Sequence, residues 1–373
     1  NWTPAGIPGT SEDTAVFGAA ITANRTVTVD ENVTVQNIDF DNVNTYAIAG
    51  TGTVQLDAGT AVAATLDVVQ GTHEFQARVA LLGDVSADIN TGSTLEFNNR
   101  LNLNGNTLTK TGEGTLAVNN RVTVGAGGAI IGGAGVISGN GTVGGDLSNN
   151  AVVAPGNSPG VLSVSGNYTQ GASGVLEIEI NGTAAGTGHD QLAITGTASL
   201  DGTLDIQTDA GFTPGVGAVA GVIGDSYVIV SAGSVSGTFA TINGRHMGSG
   251  KFYDVAYNAT NVTLGAFQAA AGDADGDMDV DITDFNSLAN GFDPSGDNAG
   301  SNNWMTADFD ADGDVDITDF NGLANNFAPG GYAGEGPGQV PEPTAWVLMV
   351  LGTLGLLSWV RRRCAGHART SRT

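Results

Sequence analysis

One eight-residue string, DVDITDFN, occurs twice, at Asp279–Asn286 and at Asp314–Asn321. The unit around it repeats too: alternating aspartates, then a short apolar segment (SLANGF, GLANNF), at an offset of 35 residues. Alternating aspartates that end in an apolar turn suit one chemistry, which is to wrap a hard cation in oxygen. Calcium takes about six to eight oxygen ligands, and a twelve-residue loop supplies them from positions 1, 3, 5, 7, 9 and 12. A single acidic run reads more plainly as a solvated linker. Two copies in one register, each leading into an apolar helix start (Phe285, Leu288, Phe292; Phe320, Leu323, Phe327), argue against that.

Counted back from its last aspartate, the second copy places Asp308, Asp310, Asp312, Asp316 and Asp319 at positions 1, 3, 5, 9 and 12. Asp314 falls at 7, where a backbone carbonyl is the expected ligand, and Gly313 at 6, where the loop turns sharply. The first copy places Asp273, Asp275, Asp277, Asp281 and Asp284 likewise, with Asp279 at 7 and Met278 at 6. A side chain at positive φ costs about 1–2 kcal/mol, so the first site is expected to be the weaker. Val280 and Val315, at position 8, are expected to pair the two loops back to back.

Two such loops, each followed by one helix and with Asp at position 12, resemble a type I dockerin, a duplicated half EF-hand. The resemblance covers Gly272 to about Pro329. It implies two Ca2+ sites and docking onto a cohesin-like partner. In that family positions 10 and 11 help to choose the partner; here they are Ile282 and Thr283, then Ile317 and Thr318. Identical pairs would let either half face it.

The chain has 373 residues, 58 of them glycine, and a net charge of −26. Five of its 12 basic residues lie after residue 360, so everything up to residue 340 carries seven basic against 37 acidic residues. Such a body repels nucleic acid and anionic membranes. Fourteen of the acids lie between Asp273 and Asp319 and repel one another without a counterion. A single cysteine, Cys364, excludes an internal disulfide. The first residue is Asn1, as expected of a processed or truncated N-terminus.

Residues 1–267 read as a Gly-rich body of short strands. β-Branched alternations recur at Thr26–Val29, Val33–Val35, Val54–Leu56, Leu95–Phe97, Leu116–Val118, Leu176–Ile180, Leu204–Ile206 and Val228–Val230, bounded by Gly, Asn, Asp or Thr. A motif, Gly-(Thr/Ser)-x-(Leu/Val), returns at Gly52, Gly92, Gly114 and Gly202, with variants at Gly141 and Gly174. That spacing predicts a parallel β-helix, a solenoid with small residues at its corners and ladders of Asn and Thr. A β-sandwich, or a pair of them, is the alternative. NGNTLTKTGEGTLAV (Asn104–Val118) resembles the autotransporter-associated strand repeat. Val153–Glu179 and the opening NWTPAGIPGTSEDTAVF are similar to segments of secreted, adhesin-like bacterial proteins. These resemblances imply a right-handed β-helix and a surface location.

Chemistry is sparse in this body. His73, His189 and His246 are scattered. Glu177 and Glu179 alternate with Leu176, Ile178 and Ile180, which puts both acids on the solvent face of one strand. His189–Asp190 reads as turn chemistry, and Arg245–His246 is the one basic spot in a long acidic stretch. The body reads as non-catalytic.

Residues 330–339 form a Gly-rich linker. Then Val-Pro341-Glu342-Pro343 leads into an apolar run, 344–360, and Arg361, Arg362 and Arg363. A helix of that length spans about 25 Å, short of a hydrocarbon core of about 30 Å. Its lack of a polar face and the abrupt arginines nevertheless predict a transmembrane helix with a cytoplasmic tail. Proline-glutamate-proline, apolar span and arginine cluster together resemble a PEP-CTERM sorting signal over residues 340–373. That resemblance implies an exosortase, cleavage near Pro341–Pro343, and passage from a transient inner-membrane anchor to the cell surface or extracellular matrix.

The expected protein is therefore a secreted or cell-surface structural or adhesive protein of a Gram-negative-type bacterium. Its dockerin-like module, 272–329, folds on calcium, and its partners include exosortase and possible extracellular polysaccharide. The alternative is a polysaccharide-active enzyme, a glycoside hydrolase or lyase, built on the β-helix and carried by the dockerin.

Overall fold

The computed structural model describes residues 9–331, apart from 60, 62 and 299, and divides them into two compact units after Ala269. The linker from residue 332 onward, the apolar run 344–360 and the sorting residues lie outside the described residues, as do residues 1–8. Among the described residues no helix is long and apolar enough to cross a membrane.

In the first unit nearly every strand pairs in parallel with the strand three further along the chain. Thr14–Phe17 pairs with Asn37–Asp41, which pairs with Ala64–Gln70. Three sheets result, of ten, ten and twelve strands, each receiving one strand per turn of the chain. This is β-helix-like stacking, and it excludes the sandwich. The eight segments predicted from alternation fall on observed strands, with ends shifted by one or two residues.

Alternation works here because each strand has one face toward the axis. Leu95, Leu116, Ile137, Val153, Leu176 and Leu204 face one another on successive turns, and all are fully buried. Each such side chain contributes about 1.5–3 kcal/mol of burial. Toward the N-terminal end the column changes to rings. Phe17 stacks on Phe40 at 4.9 Å, Phe75 on Phe97 at 5.3 Å, and the buried His73 on Phe40 at 4.6 Å. The His73 ring accepts the Tyr46 N–H at Nδ1, 3.1 Å, and its other nitrogen meets the Gln70 carbonyl at 2.9 Å.

Corners explain most of the glycine motif; Gly92 has open space around it and is set apart by its positive φ of 77°. A Cβ on Gly52 would lie 2.1 Å from the Glu31 carbonyl oxygen, and one on Gly114 would lie 2.3 Å from that of Asn90. The backbone of one turn rests directly on that of the last, so a side chain has no room. Corner asparagines pass hydrogen bonds to the next turn: Asn32 Oδ1 accepts the Thr53 N–H (3.0 Å), and Asn167 Oδ1 that of Thr197 (2.9 Å). Asn119 donates to Asn98 at 2.8 Å, one step of an amide ladder.

Two charged side chains sit inside. Lys110 is fully buried, and its ammonium donates to the carbonyls of Thr111 (2.7 Å), Gly112 (2.6 Å) and Ala134 (3.1 Å). Burial pulls its pKa down to about 8, opposed by the charges of Asp88 and Glu113. His189 and Asp190, read from the sequence as turn chemistry, are buried as well. The Asp190 carboxylate accepts the N–H groups of Gly160 (2.7 Å) and Glu179 (2.9 Å), tying a loop to a strand. Burial raises its pKa to about 6 against those two bonds.

The parallel stack ends in a change of direction. Ser226–Ser231 pairs antiparallel with Asn261–Gln268, which continues to Lys251–Tyr257 and His246–Gly248.

The second unit holds two ten-residue helices, α1 (Ile282–Gly291) and α2 (Ile317–Asn326), each preceded by an aspartate loop. Both open with a capping box. Asp281 accepts the Thr283 N–H (2.6 Å) while Asp284 accepts that of Asp281 (2.8 Å). Asp316 and Asp319 repeat the arrangement at 2.5 and 3.0 Å. Each box satisfies two N–H groups the helix cannot, with negative charge at its positive end. Of the apolar positions, Leu288 and Leu323 are buried, whereas Phe285, Phe292, Phe320 and Phe327 stay 37–56% exposed.

The loops do not pair back to back through Val280 and Val315. Val280 pairs with Ala328, just past α2, and Val315 pairs with Asp293, just past α1. The helices are short, so each leaves its following residue beside the other repeat's loop.

Candidate metal centre

Eleven of the twelve loop aspartates gather by position. Carboxylate oxygens of Asp273, Asp275 and Asp277 lie within 4.8 Å of one another, as do those of Asp279, Asp281 and Asp284. In the second loop the groups are Asp308, Asp310 and Asp319, and Asp314, Asp316 and Asp319. Asp312 falls in neither second-loop group and is exposed.

Position 1 folds the loop. Asp273 is fully buried, and its two oxygens accept the N–H groups of Gly276 (2.6 Å) and Met278 (3.2 Å). Position 12 closes it. Asp284 Oδ1 accepts the Ala274 N–H at 2.7 Å and Asp319 Oδ1 that of Phe309 at 2.7 Å, while the second oxygen of each caps its helix. Asp284 and Asp319 are both 1% exposed. One carboxylate thus joins the start of the loop to the start of the helix.

At position 7 the side chains also join the groups: Asp279 lies with Asp281 and Asp284, and Asp314 with Asp316 and Asp319. Among the described residues, Oδ1 of Asp279, Asp308 and Asp314 is buried and meets no hydrogen-bond donor. Buried carboxylate oxygens are ordinarily satisfied, and each exception calls for an explanation.

The turn geometry also differs from expectation. Each loop has two left-handed residues, at positions 4 and 6. They are Gly276 (φ 72°) and Met278 (φ 70°) in the first, and Ala311 (φ 60°) and Gly313 (φ 95°) in the second. Each loop therefore has one glycine and one strained side chain, at exchanged places. The asymmetry expected from Met278 alone disappears.

Crowding is written into the proton affinities. The pKa values of Asp279 and Asp314 are raised, first by burial and then by neighbouring carboxylates. Asp284, Asp308 and Asp310 are also raised, burial again first. Outside the loops, Asp293 is lowered, chiefly by the Asn298 N–H that it accepts at 2.7 Å.

All the donors are carboxylate oxygens, and several are buried with lone pairs unused. That set fits a hard divalent cation and is a poor match for metals that prefer sulfur or imidazole. The sequence found the acids by counting. It gave no sign of Trp304, whose indole N–H donates to the Asp273 carbonyl at 2.6 Å and whose ring sits edge-on to Phe309 at 5.2 Å. Ile282, Thr283, Ile317 and Thr318 are all exposed at the helix starts.

In comparison with known families, residues 339–363 match the PEP-CTERM protein-sorting motif. The motif indicates exosortase-dependent sorting to the cell exterior. No curated protein matches the chain.

Proposed function

We propose that this chain is a non-catalytic structural or adhesive protein of the cell exterior, whose duplicated aspartate module is dockerin-like, binds two calcium ions and docks a partner in the bound form. The observation that carries the reading is the set of buried oxygens at Asp279, Asp308 and Asp314, which meet no donor and lie among further carboxylates. Asp273–Asp284 would hold one ion and Asp308–Asp319 the other. Bound calcium supplies positive charge that neutralises each cluster, and its binding energy becomes folding energy of the module.

The chain's own residues supply the rest. Asp284 and Asp319 fix each helix start to its loop, so a filled loop presents its helix at a set angle. Ile282 with Thr283, and Ile317 with Thr318, then form two matching exposed pairs, with both isoleucines 62% exposed. Matching pairs support docking of a cohesin-like protein through either repeat. Glu177 and Glu179, the acids that an enzymatic reading would use, stand half-buried on an outward strand face, in register with Asp205 and Gln207.

Titration calorimetry of the chelator-stripped chain tests the proposal. Two calcium ions bind per chain; Asp284→Ala and Asp319→Ala each remove one. No binding heat, or an unchanged stoichiometry in both variants, rejects it.

A further inference from the structure

Between Arg121 and Arg361 the sequence has only two cationic residues, Arg245 and Lys251. Both belong to the segment where the parallel stack gives way to antiparallel strands. The change of direction opens a cleft of about 500 Å³ between the loop after Thr208 and the turn from Gly244 to Lys251. That volume lies within the range of small-molecule sites, about 300–1,000 Å³.

The lining has three chemistries. Lys251 supplies an ammonium, and among the described residues it has neither a hydrogen-bond nor an ion-pair partner. Phe212 and Met247 supply apolar surface, and Thr208 a hydroxyl. Asp209 also lines the cleft, with its carboxylate turned to accept the Gly211 N–H at 2.7 Å. His246 contributes an uncharged ring at neutral pH: burial lowers its pKa, and it packs on Phe252 at 4.7 Å.

In so acidic a body Lys251 is one of the few places where an anionic ligand meets a positive charge. The Asp209 carboxylate in the same lining opposes any anion, and a phosphate dianion, with twice the charge and a need for the several donors that a phosphate site brings, is opposed more than a ligand with one carboxylate. Hydroxyl, apolar surface and a single cation are together the complement of a carboxylated sugar ring, which has hydroxyls, an apolar face and one charge.

We propose that this cleft binds a hexuronate unit, with its carboxylate on Lys251 and its apolar face on Phe212 and Met247. Every lining residue belongs to the first unit, and none is a loop aspartate.

Calorimetry of the full chain with glucuronate, glucose and inorganic phosphate tests it. Glucuronate binds saturably, glucose at least about tenfold more weakly, the scale of one lost charge-assisted hydrogen bond. Phosphate does not compete. Lys251→Met lowers glucuronate affinity by about tenfold, Lys251→Arg retains it, and Phe212→Ala weakens both sugars alike. Glucose binding as tightly as glucuronate, full affinity in Lys251→Met, or no heat with any of the three overturns the proposal. If Lys251→Met does not fold, salt decides. Glucuronate affinity that falls with added sodium chloride supports the site, and salt-independent affinity overturns it.

Discussion

Val280, in the first aspartate loop, is bonded through its backbone to Ala328, just past the second helix, at 3.3 and 3.0 Å. Asp293 and Val315 repeat the pair at 3.0 and 3.3 Å, with the roles of the two repeats exchanged. Each loop is therefore held by the far end of the other repeat. These backbone bridges tie the two halves together, beyond the position-12 carboxylate that closes each loop from within.

Ala328→Pro tests this crossing. It removes the N–H that the Val280 carbonyl accepts, 48 residues away in sequence. Calcium affinity of the first loop falls by about fivefold, one net hydrogen bond of about 1 kcal/mol, and the second loop is less affected. Loss confined to the second loop contradicts the pairing.

Met278 and Ala311 have matching strain at φ 70° and 60°. Replacing either by glycine relieves about 1–2 kcal/mol and returns part of it as unfolded-chain entropy, for a net gain of about 0.5–1 kcal/mol. Melting of the two single variants should rise equally. A gain at Met278 alone restores the unequal loops that the sequence first implied.

The loop carboxylates give a pH test with two signs. Asp279, Asp284, Asp308, Asp310 and Asp314 have raised pKa values when folded. Between the ordinary carboxylate value and the raised one, the folded state binds more protons than the unfolded. Metal-free stability therefore falls as pH rises through that window. Calcium needs the deprotonated groups, so calcium-loaded stability rises over the same window. Melting from about pH 4 to 7 in chelator and in calcium should slope in opposite directions. Parallel slopes contradict the assignment of these residues as ligands.

Lys110→Met probes the body. The ammonium holds carbonyls of two successive turns, and removing it takes a donor from those of Thr111, Gly112 and Ala134, which are half-buried. Half-buried acceptors recover part of the loss from water, so the body should lose about 1–3 kcal/mol in all. Denaturant unfolding of the body would show it; a loss under about 0.5 kcal/mol would make Lys110 a passenger.

Alternating residues made the strands legible, because one face of each strand must be apolar wherever turns stack. Glycine made the corners legible for a steric reason, visible at Gly52 and Gly114. The antiparallel ending at Lys251–Gln268 left no such mark, since antiparallel and parallel strands alternate alike. In the aspartate module, spacing identified the acids, but Asp281 with Asp284 and Asp316 with Asp319 were read only as ligand positions and not as helix caps. Val280 was read as a loop-to-loop contact because spacing cannot tell which repeat a valine will meet. Ala311 was not read as left-handed because alanine carries no sign of it. The helix phenylalanines and leucines were read together as an apolar helix start, but of these the ten-residue helices bury only the leucines.

The central claim is that calcium folds the aspartate module and leaves the body alone. Hydrogen exchange of the full chain, with calcium and then with excess chelator, tests it most directly. Chelation should abolish protection of backbone amides across 272–329 while protection across the strands of 9–269 stays unchanged. Equal protection of 272–329 with and without calcium would contradict the claim.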